Sequence, residues 1–476
     1  MRLLHGIAIF VALTPAFLVT GCVSQRRTVP SQLRTTKPVY NPELPRETNN
    51  DSTMAMSPIQ IVSSSEVSRA ALEIDESDEN QHVDGEVLSL DLLIAEVQFR
   101  NPSIQAAQAA WAAAIERYPQ AVALDDPMFQ SMFAPASFAA NDSQSSYYLG
   151  FAQRVPWPGK RQLKGQVAHW EANAASWDAE EIKLRLATST RLAFYDYYLV
   201  QRELELNENN VEVMTDFRDT AKAKYEANQV SQQDLSAADL ELAKLKQQRL
   251  GLEKSKWIAT ARINTLLHER PDHFLLPPPN QLSATSELPE VAQLLVLATS
   301  HRPELSALAA RIQAEQNAVA LACKDYYPDF EFMGRYDAFW TDRQQQPQVG
   351  MNMNVPIRKD RRSAAVREAQ FRVTKLNADY AQMQDSINEQ VQVAYANTEA
   401  NEKSATLYSS TILPTAETNL ANARAAYVSG SIDFLRLMDA RRQFIEEQVG
   451  YQRAMTELHR SRSELISAVG LPLDSE

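Results

Sequence analysis

The sequence predicts a mainly α-helical fold built as two copies of one plan, with a pair of β-strands in each copy. Three observations lead there. Only 12 of 476 residues are glycine, while Ala, Gln, Glu and Leu are plentiful, a composition of long helices rather than loops. Lys160 to Glu226 and Lys359 to Ala426 hold no cluster of breakers and no proline but Pro414. At 1.5 Å per residue each stretch makes a rod of about 100 Å. Finally, four landmarks recur in the same order about two hundred residues apart, the signature of an internal duplication.

The chain opens with a secretory signal, residues 1–21: Arg2 gives a basic start, Gly6 to Val19 is apolar, and small residues follow. The apolar run is too short to span a membrane comfortably. "LVTGC", Leu18 to Cys22, resembles the lipobox of bacterial lipoproteins, which makes Cys22 the lipid-bearing mature N-terminus. Val23 follows it, not the aspartate that retains such proteins in the inner membrane. Residues 22–87 read as a tether, rich in Pro, Ser, Thr and Asn and ending near the acidic run "EIDESDEN". Such a stretch buries too little apolar surface to offset its chain entropy.

The first repeat occupies 88–274 and the second 290–471, separated by the proline-rich join 275–289 and followed by a short tail, 472–476. "RNPSIQAAQAAWAAAI" from Arg100 aligns with "HRPELSALAARIQAEQ" from His301, each with proline at the first helical position, where a missing N–H costs nothing. Strand pairs follow, at about 127–156 and 328–356, and then the two long helices. "KYEANQVSQQDL" aligns with "AYVSGSIDFLRL", placing turns at 225–235 and 427–437. In the last helix Leu437, Phe444, Tyr451, Leu458 and Leu465 recur every seventh residue, the period of supercoiled helix pairs.

The strands alternate. Phe330, Phe332, Tyr336 and Trp340 share one face, and Glu331, Arg335 and Asp337 the other. Likewise Met351 and Met353 alternate with Asn352 and Asn354. Each strand is expected to run about nine to eleven residues, the length of a tilted membrane strand. Alternation alone suits a soluble sheet packed on helices equally well. If the aromatic faces meet lipid, several chains must share one barrel, because an open edge in lipid leaves backbone groups unsatisfied. Both strand pairs end in proline, Pro156 and Pro356. Proline ends ladder pairing and suits a helix entry. Gly159 adds backbone freedom at the first junction, where the second has Lys359. Lys160, Arg161, Lys359, Arg361 and Arg362 crowd the helix starts, against the helix dipole, so acidic neighbours or lipid head groups are their expected partners.

No catalytic constellation emerges, and no cofactor is expected. The seven histidines are scattered, and His268 and His273 lack zincin spacing. "PGKR" lacks the leading glycine and the hydroxyl of a phosphate-binding loop. With a net charge of −13 and no basic stripe, nucleic acid is not an expected partner. Only Cys22 and Cys323 exist, so acylation of Cys22 leaves no intramolecular disulfide. The two turns are helical-hairpin tips. Gly430 supplies a left-handed residue, and Asn228 is the next-best choice at the matching place.

The lipobox, the duplicated helix–strand pair–helix–turn–helix plan and the heptads together resemble the TolC family of outer-membrane efflux proteins, from about Leu88 to Leu471. "NPS", "RPE", "PWPGKR" and "AYVSGSIDFL" are the landmarks, and "PWPGK" leans toward the heavy-metal-type branch. The resemblance implies a homotrimer with a shared twelve-stranded barrel in outer-membrane lipid and a coiled-coil α-barrel across the periplasm. It implies lipid-facing Phe330, Phe332, Tyr336, Trp340, Met351 and Met353, and lumen-facing Glu331, Arg335, Asn352 and Asn354. It also implies docking of a periplasmic adaptor, and through it an inner-membrane pump, on tips containing Tyr225, Asn228, Val230, Leu235, Tyr427, Gly430, Ile432 and Leu437. The protein would then be a passive export duct. The competing reading is a coiled-coil lipoprotein that scaffolds the envelope without a pore.

Overall fold

Helices dominate because the sequence supplies long breaker-free stretches, and the strands appear where large apolar residues, mostly aromatic or Met, alternate with small or polar ones. The structure, a computed structural model, describes residues 87–135, 146–227, 231–282, 287–340 and 342–471. Cys22, Asn228 and Val230 lie outside the described residues. In the first repeat the elements are α1 (Leu90–Arg100), α2 (Pro102–Ile115), α3 (Arg117–Val122), β1 (Met128–Phe133), β2 (Tyr147–Val155), α4 (Lys160–Glu226) and α5 (Gln232–Leu266). In the second they are α6 (Val291–His301), α7 (Pro303–Lys324), β3 (Phe330–Asp337), β4 (Pro347–Met353), α8 (Lys359–Leu407), α9 (Leu413–Val428) and α10 (Phe434–Val469). The four strands form one antiparallel sheet in the order β1-β2-β3-β4.

The duplication extends to the cores. In the first repeat Leu93 and Val97 of α1 pack with Phe194 of α4 and Ile263 of α5. In the second, Leu294 and Ala298 of α6 pack with Val391 and Ala394 of α8 and Leu465 of α10. Each core is closed by the residue before the landmark proline. The Asn101 side chain accepts from the Ser103 N–H and donates to the Leu266 carbonyl at the end of α5 (2.9 Å each). Its counterpart Arg302 is buried and donates to the carbonyls of Ser467 (2.8 Å) and Ala468 (3.2 Å) at the end of α10, while Glu304 pairs with it at 2.7 Å. "NPS" and "RPE" therefore do one job: they satisfy orphan carbonyls at the last turn of their own repeat.

The rods differ. α4 is continuous for 67 residues, as expected. The second is not: Tyr408–Ile412 forms a π-helical turn between α8 and α9, two residues ahead of Pro414. Proline has no N–H and its ring crowds the carbonyl four residues back, so the widened turn accommodates what a regular α-ladder cannot. Tyr408 of this turn lies over Gly450 of α10, where a Cβ would come within 2.9 Å of its hydroxyl.

A polar ladder ties α4 to α10. Asp196 takes Arg460, Glu203 takes Arg453 (2.7 Å) and Asn210 takes Arg441 (2.7 Å), so the α4 partners recur every seventh residue. The heptad residues Leu437, Leu458 and Leu465 are buried beside it. His459 sits within this interface, 8% exposed, its ring 5.5 Å from that of Tyr195, which hydrogen-bonds Ser463. Burial, and then the charge of Arg462, push the His459 pKa down from 6.5 to about 4. The unfolded chain accepts this proton near 6.5 and the folded chain only near 4, so protons favour unfolding between those values. Stability should therefore fall as pH drops through that window, by about 3 kcal/mol at most. Denaturant unfolding at pH 7, 6 and 5 should show this loss, and His459→Gln should flatten it.

Candidate functional site

The sheet register sorts the side chains onto two faces. Phe129 lies opposite Phe151, Leu149 opposite Tyr336, Val155 opposite Phe330, Phe332 opposite Met351 and Phe330 opposite Met353. Since paired residues project to the same side, these residues, with Phe133, Tyr147 and Val349, make one apolar face across all four strands. It is bare: Phe151 is 62% exposed, Phe332 50% and Val349 93%. Its one amide, Gln153, is turned onto the backbone carbonyls of Asp125 (2.7 Å) and Arg154 (3.0 Å).

The opposite face is mixed, with an apolar row of Met128, Ala152 and Met333 between polar ones. Arg154, Glu331 and Asn352 form one row, with the Asn352 amide donating to Glu331 at 3.3 Å. Arg335 donates to Gln348 (2.9 Å), pairs with Asp337 (3.5 Å) and lies over the Tyr148 ring (5.6 Å). Gly150 makes room for it, since a Cβ there would stand 2.7 Å from the Arg335 Cβ. Thus Phe330, Phe332, Tyr336, Met351 and Met353 share one face, and Glu331, Arg335 and Asn352 the other, as alternation requires.

Two members of the expected sets do not belong to strands. Trp340 lies beyond the end of β3, in the turn after Asp337, where its carbonyl accepts from Gln346 (3.1 Å). Asn354 lies past the end of β4, and its side-chain oxygen accepts from the Asp329 N–H at 2.6 Å, holding the base of the hairpin. Three strands are shorter than expected, at six to eight residues, while β2 has the expected nine. Ladder pairing stops before Pro356 in the second repeat and at Val155, immediately before Pro156, in the first.

At the junction, Gly159 has φ +88° and caps α4, a conformation costly for any residue with a Cβ. Trp157 stacks on Tyr327 (5.0 Å) and Phe330 (5.8 Å) and gives its N–H to Asp329 (2.9 Å). Lys160, 5% exposed, pairs with Asp329 at 2.9 Å and Asp325 at 3.2 Å. Acidic neighbours, not lipid, therefore answer its unfavourable place at a helix start. Arg161 and Arg362 do something else, and do it in both repeats. Arg161 donates to the Val122 carbonyl (2.8 Å) at the end of α3, and Arg362 to the Asp325 carbonyl (2.6 Å) just past α7. Each places a cation at a helix C-terminus, where the dipole favours it. Lys359 and Arg361 stay exposed.

At the tips Gly430 has φ +74°, as expected, and Asp433 caps α10 by accepting from the Arg436 N–H. Ser231 and Asp234 form a capping box on α5. The two tyrosines equated by the repeat behave differently. Tyr427 packs on Phe434 (5.9 Å) and under the Lys224 ammonium (4.4 Å), joining the second hairpin to the first, whereas Tyr225 is exposed. Tyr427 thus has a packing reason to be aromatic. Leu437 is buried, and Leu235 and Ile432 are half-buried. Ile432 lines a groove of about 450 Å³ with Asn422, Ala426 and Arg436.

Sequence reasoning missed the junction acids Asp325 and Asp329. Their signal was present: they stand just before a strand whose neighbour ends in an unpaired basic run. Among the described residues no cluster of His, Cys, Asp or Glu could hold a metal ion, and no helix is long and apolar enough to cross a membrane.

Comparison with known proteins agrees with this architecture. Residues 294–471, nearly the whole second repeat, match the family model of outer membrane efflux proteins. No curated protein matches the sequence significantly. Among solved structures, VceC of Vibrio cholerae is similar at 18% identity and TM-score 0.68, covering 81% of this chain and 97% of that one. MtrE of Neisseria gonorrhoeae in its open state is similar at 17% identity and TM-score 0.68, covering 80% and 89%. The channel CusC stands level with them, at 14% identity and TM-score 0.69, covering 80% and 92%. The chain therefore has the fold of these outer-membrane channels, and the fold does not single out a heavy-metal branch.

The junction yields a prediction. Asp329→Ala leaves the buried Lys160 ammonium with the half-exposed Asp325 and a long bond to the Tyr327 carbonyl (3.4 Å), and removes the acceptor of the Trp157 backbone N–H. The expected loss is about 2–4 kcal/mol, read as lower resistance of the purified protein to denaturant. Adding Lys160→Met should recover part of that loss, because the uncompensated charge goes with it.

Proposed function

We propose that this chain, an outer-membrane efflux channel by its fold and by the family match of its second repeat, works as the passive trimeric duct of a tripartite efflux system. Its work is transport, not catalysis. Small molecules or metal ions pass from the periplasm, or from an inner-membrane pump, to the exterior. A periplasmic adaptor docks on the tips around Tyr225, Leu235, Gly430 and Ile432. Cys22 anchors the chain in the outer membrane through lipid.

One observation carries the reading: a four-stranded sheet with a continuous, exposed apolar face, whose other face holds every charged side chain of the strands. Three such sheets supply twelve strands, enough to close a barrel with apolar residues toward lipid and Arg335, Glu331 and Asn352 toward water. A scaffolding lipoprotein has no use for that division.

Planar-bilayer recording on the purified protein tests it, and discrete, stable conductance steps are expected. Phe332→Arg should impair insertion, by about 2–4 kcal/mol for a residue near the midplane. Asn352→Arg should assemble normally and shift ion selectivity toward anions. Equal tolerance of both changes would overturn the barrel.

The anchor has its own test. Mass spectrometry of the mature N-terminus should find a diacylglyceryl adduct on Cys22. A mature chain beginning elsewhere would refute it.

A further inference from the structure

Helices α10 and α7 meet end to end. Arg302, just ahead of α7, donates to the carbonyls of Ser467 and Ala468, and Gly470 closes α10 at φ +85° without a side chain. A joint between helix ends carries fewer side chains than a helix flank. Here it leaves a cavity of about 440 Å³ between α4 and α8. That is room for a small organic molecule.

The cavity opens on the bare side of the rods. Its α8 wall is Gln390, Val393 and Asn397, half a turn round the helix from Val391 and Gln392, which face α6. On α4, Glu181 and Arg185 likewise stand opposite Phe194 and Tyr197, which pack with α1. Helices α1 and α6 thus pad one face of the rods, and padding inside a tube made for passage would fill it. In a closed duct the cavity therefore opens into the bore, about 40 Å of helix below the strand-to-helix junction.

Most of its charges cancel. Glu181 pairs with Arg185 at 3.0 Å and Glu304 with Arg302 at 2.7 Å. All the N–H groups of Arg302 are taken, by the two carbonyls, Glu304 and Gln390, so it offers nothing to an anion. Glu464 remains. It is exposed and joins no ion pair among the described residues. Leu184 and Val393, the latter 53% exposed, give the cavity an apolar wall. One uncompensated carboxylate beside apolar surface suits a cation with an apolar body. A hard metal ion, which needs several oxygen ligands, fits poorly where the other carboxylates are already paired.

We propose that this cavity is a bore-side binding site for amphipathic organic cations, with the ammonium at Glu464 and the apolar body against Leu184 and Val393. The site rests on the duct reading and names a class of cargo that pauses on its way through.

Channel block tests it, on the full-length protein in planar bilayers with tetrabutylammonium as the probe. The parent channel should show reversible, saturable block. Glu464→Gln should raise the half-blocking concentration about tenfold, the loss expected of one charge-assisted contact. Val393→Asn should raise it several-fold. Tetramethylammonium, with the same charge and no apolar body, should block far more weakly. Glu389→Gln, on the padded side of α8, should change nothing. Block that survives Glu464→Gln, or falls equally with Glu389→Gln, would overturn the site while leaving the duct standing. So would a parent channel that conducts and is never blocked. A parent chain that never conducts would overturn the duct reading beneath it.

Discussion

Everything in this chain answers to a sheet that cannot finish itself. Four strands leave β1 and β4 each with one unshared row of N–H and C=O groups. The sheet also exposes Phe129, Phe151, Phe332 and Val349 on a face that none of the described helices covers. Burying that face within one chain would need a further layer, yet after each strand pair the chain departs as a rod. Pro156 and Pro356 enforce the departure, and Lys160 with Asp325 and Asp329 fixes its direction. The rods follow from the junction, and the hairpins from the rods.

Duplication supplies the parts, but the copies have diverged where mechanics differ. Asn101 and Arg302 close the two cores in the same place with different chemistry, an amide in one and a paired guanidinium in the other. Arg161 and Arg362 cap equivalent helix ends. The rods themselves are not equivalent. The first is one unbroken helix, whereas the second is interrupted at Tyr408–Ile412 and loses the regular ladder just above its tip hairpin. Tyr427 packs on Phe434 of its own hairpin and ties that hairpin to the first through Lys224.

Period was legible in the sequence and endpoints were not. The α4 helix has the bounds that its lack of breakers implied, and the faces of β3 and β4 follow from alternation. Trp340 and Asn354 continue that alternation on paper, yet Trp340 lies in the turn beyond β3, and Asn354 lies just past the end of β4, where its N–H still reaches the Asp329 carbonyl at 3.3 Å. Nothing in a period-two pattern marks where pairing stops. Asp329 was hidden for another reason. Its partner Lys160 is 169 residues away in sequence, and only the β2–β3 pairing joins them. Pro414 was visible as a breaker, but whether a helix kinks, ends or widens at a proline depends on its neighbours, here Tyr408 over Gly450.

Heptad leucines alone do not determine how far along α4 the last helix lies. An apolar seam is nearly indifferent to a slip of seven residues, about 10 Å, because each knob finds a similar hole. The polar ladder removes that indifference. In the observed alignment Arg460, Arg453 and Arg441 meet Asp196, Glu203 and Asn210. A slip of one heptad toward the tip would carry Arg441 from Asn210 to the level of Phe217, which belongs to the apolar cluster with Met214 and Phe434. Because the α4 partners are themselves seven residues apart, Arg460 and Arg453 would find Glu203 and Asn210, so the whole penalty falls on Arg441. Burying a guanidinium without a partner costs more than a repacked leucine could return. The ladder therefore fixes the level of the second tip relative to the first, which apolar packing alone would leave free to slide.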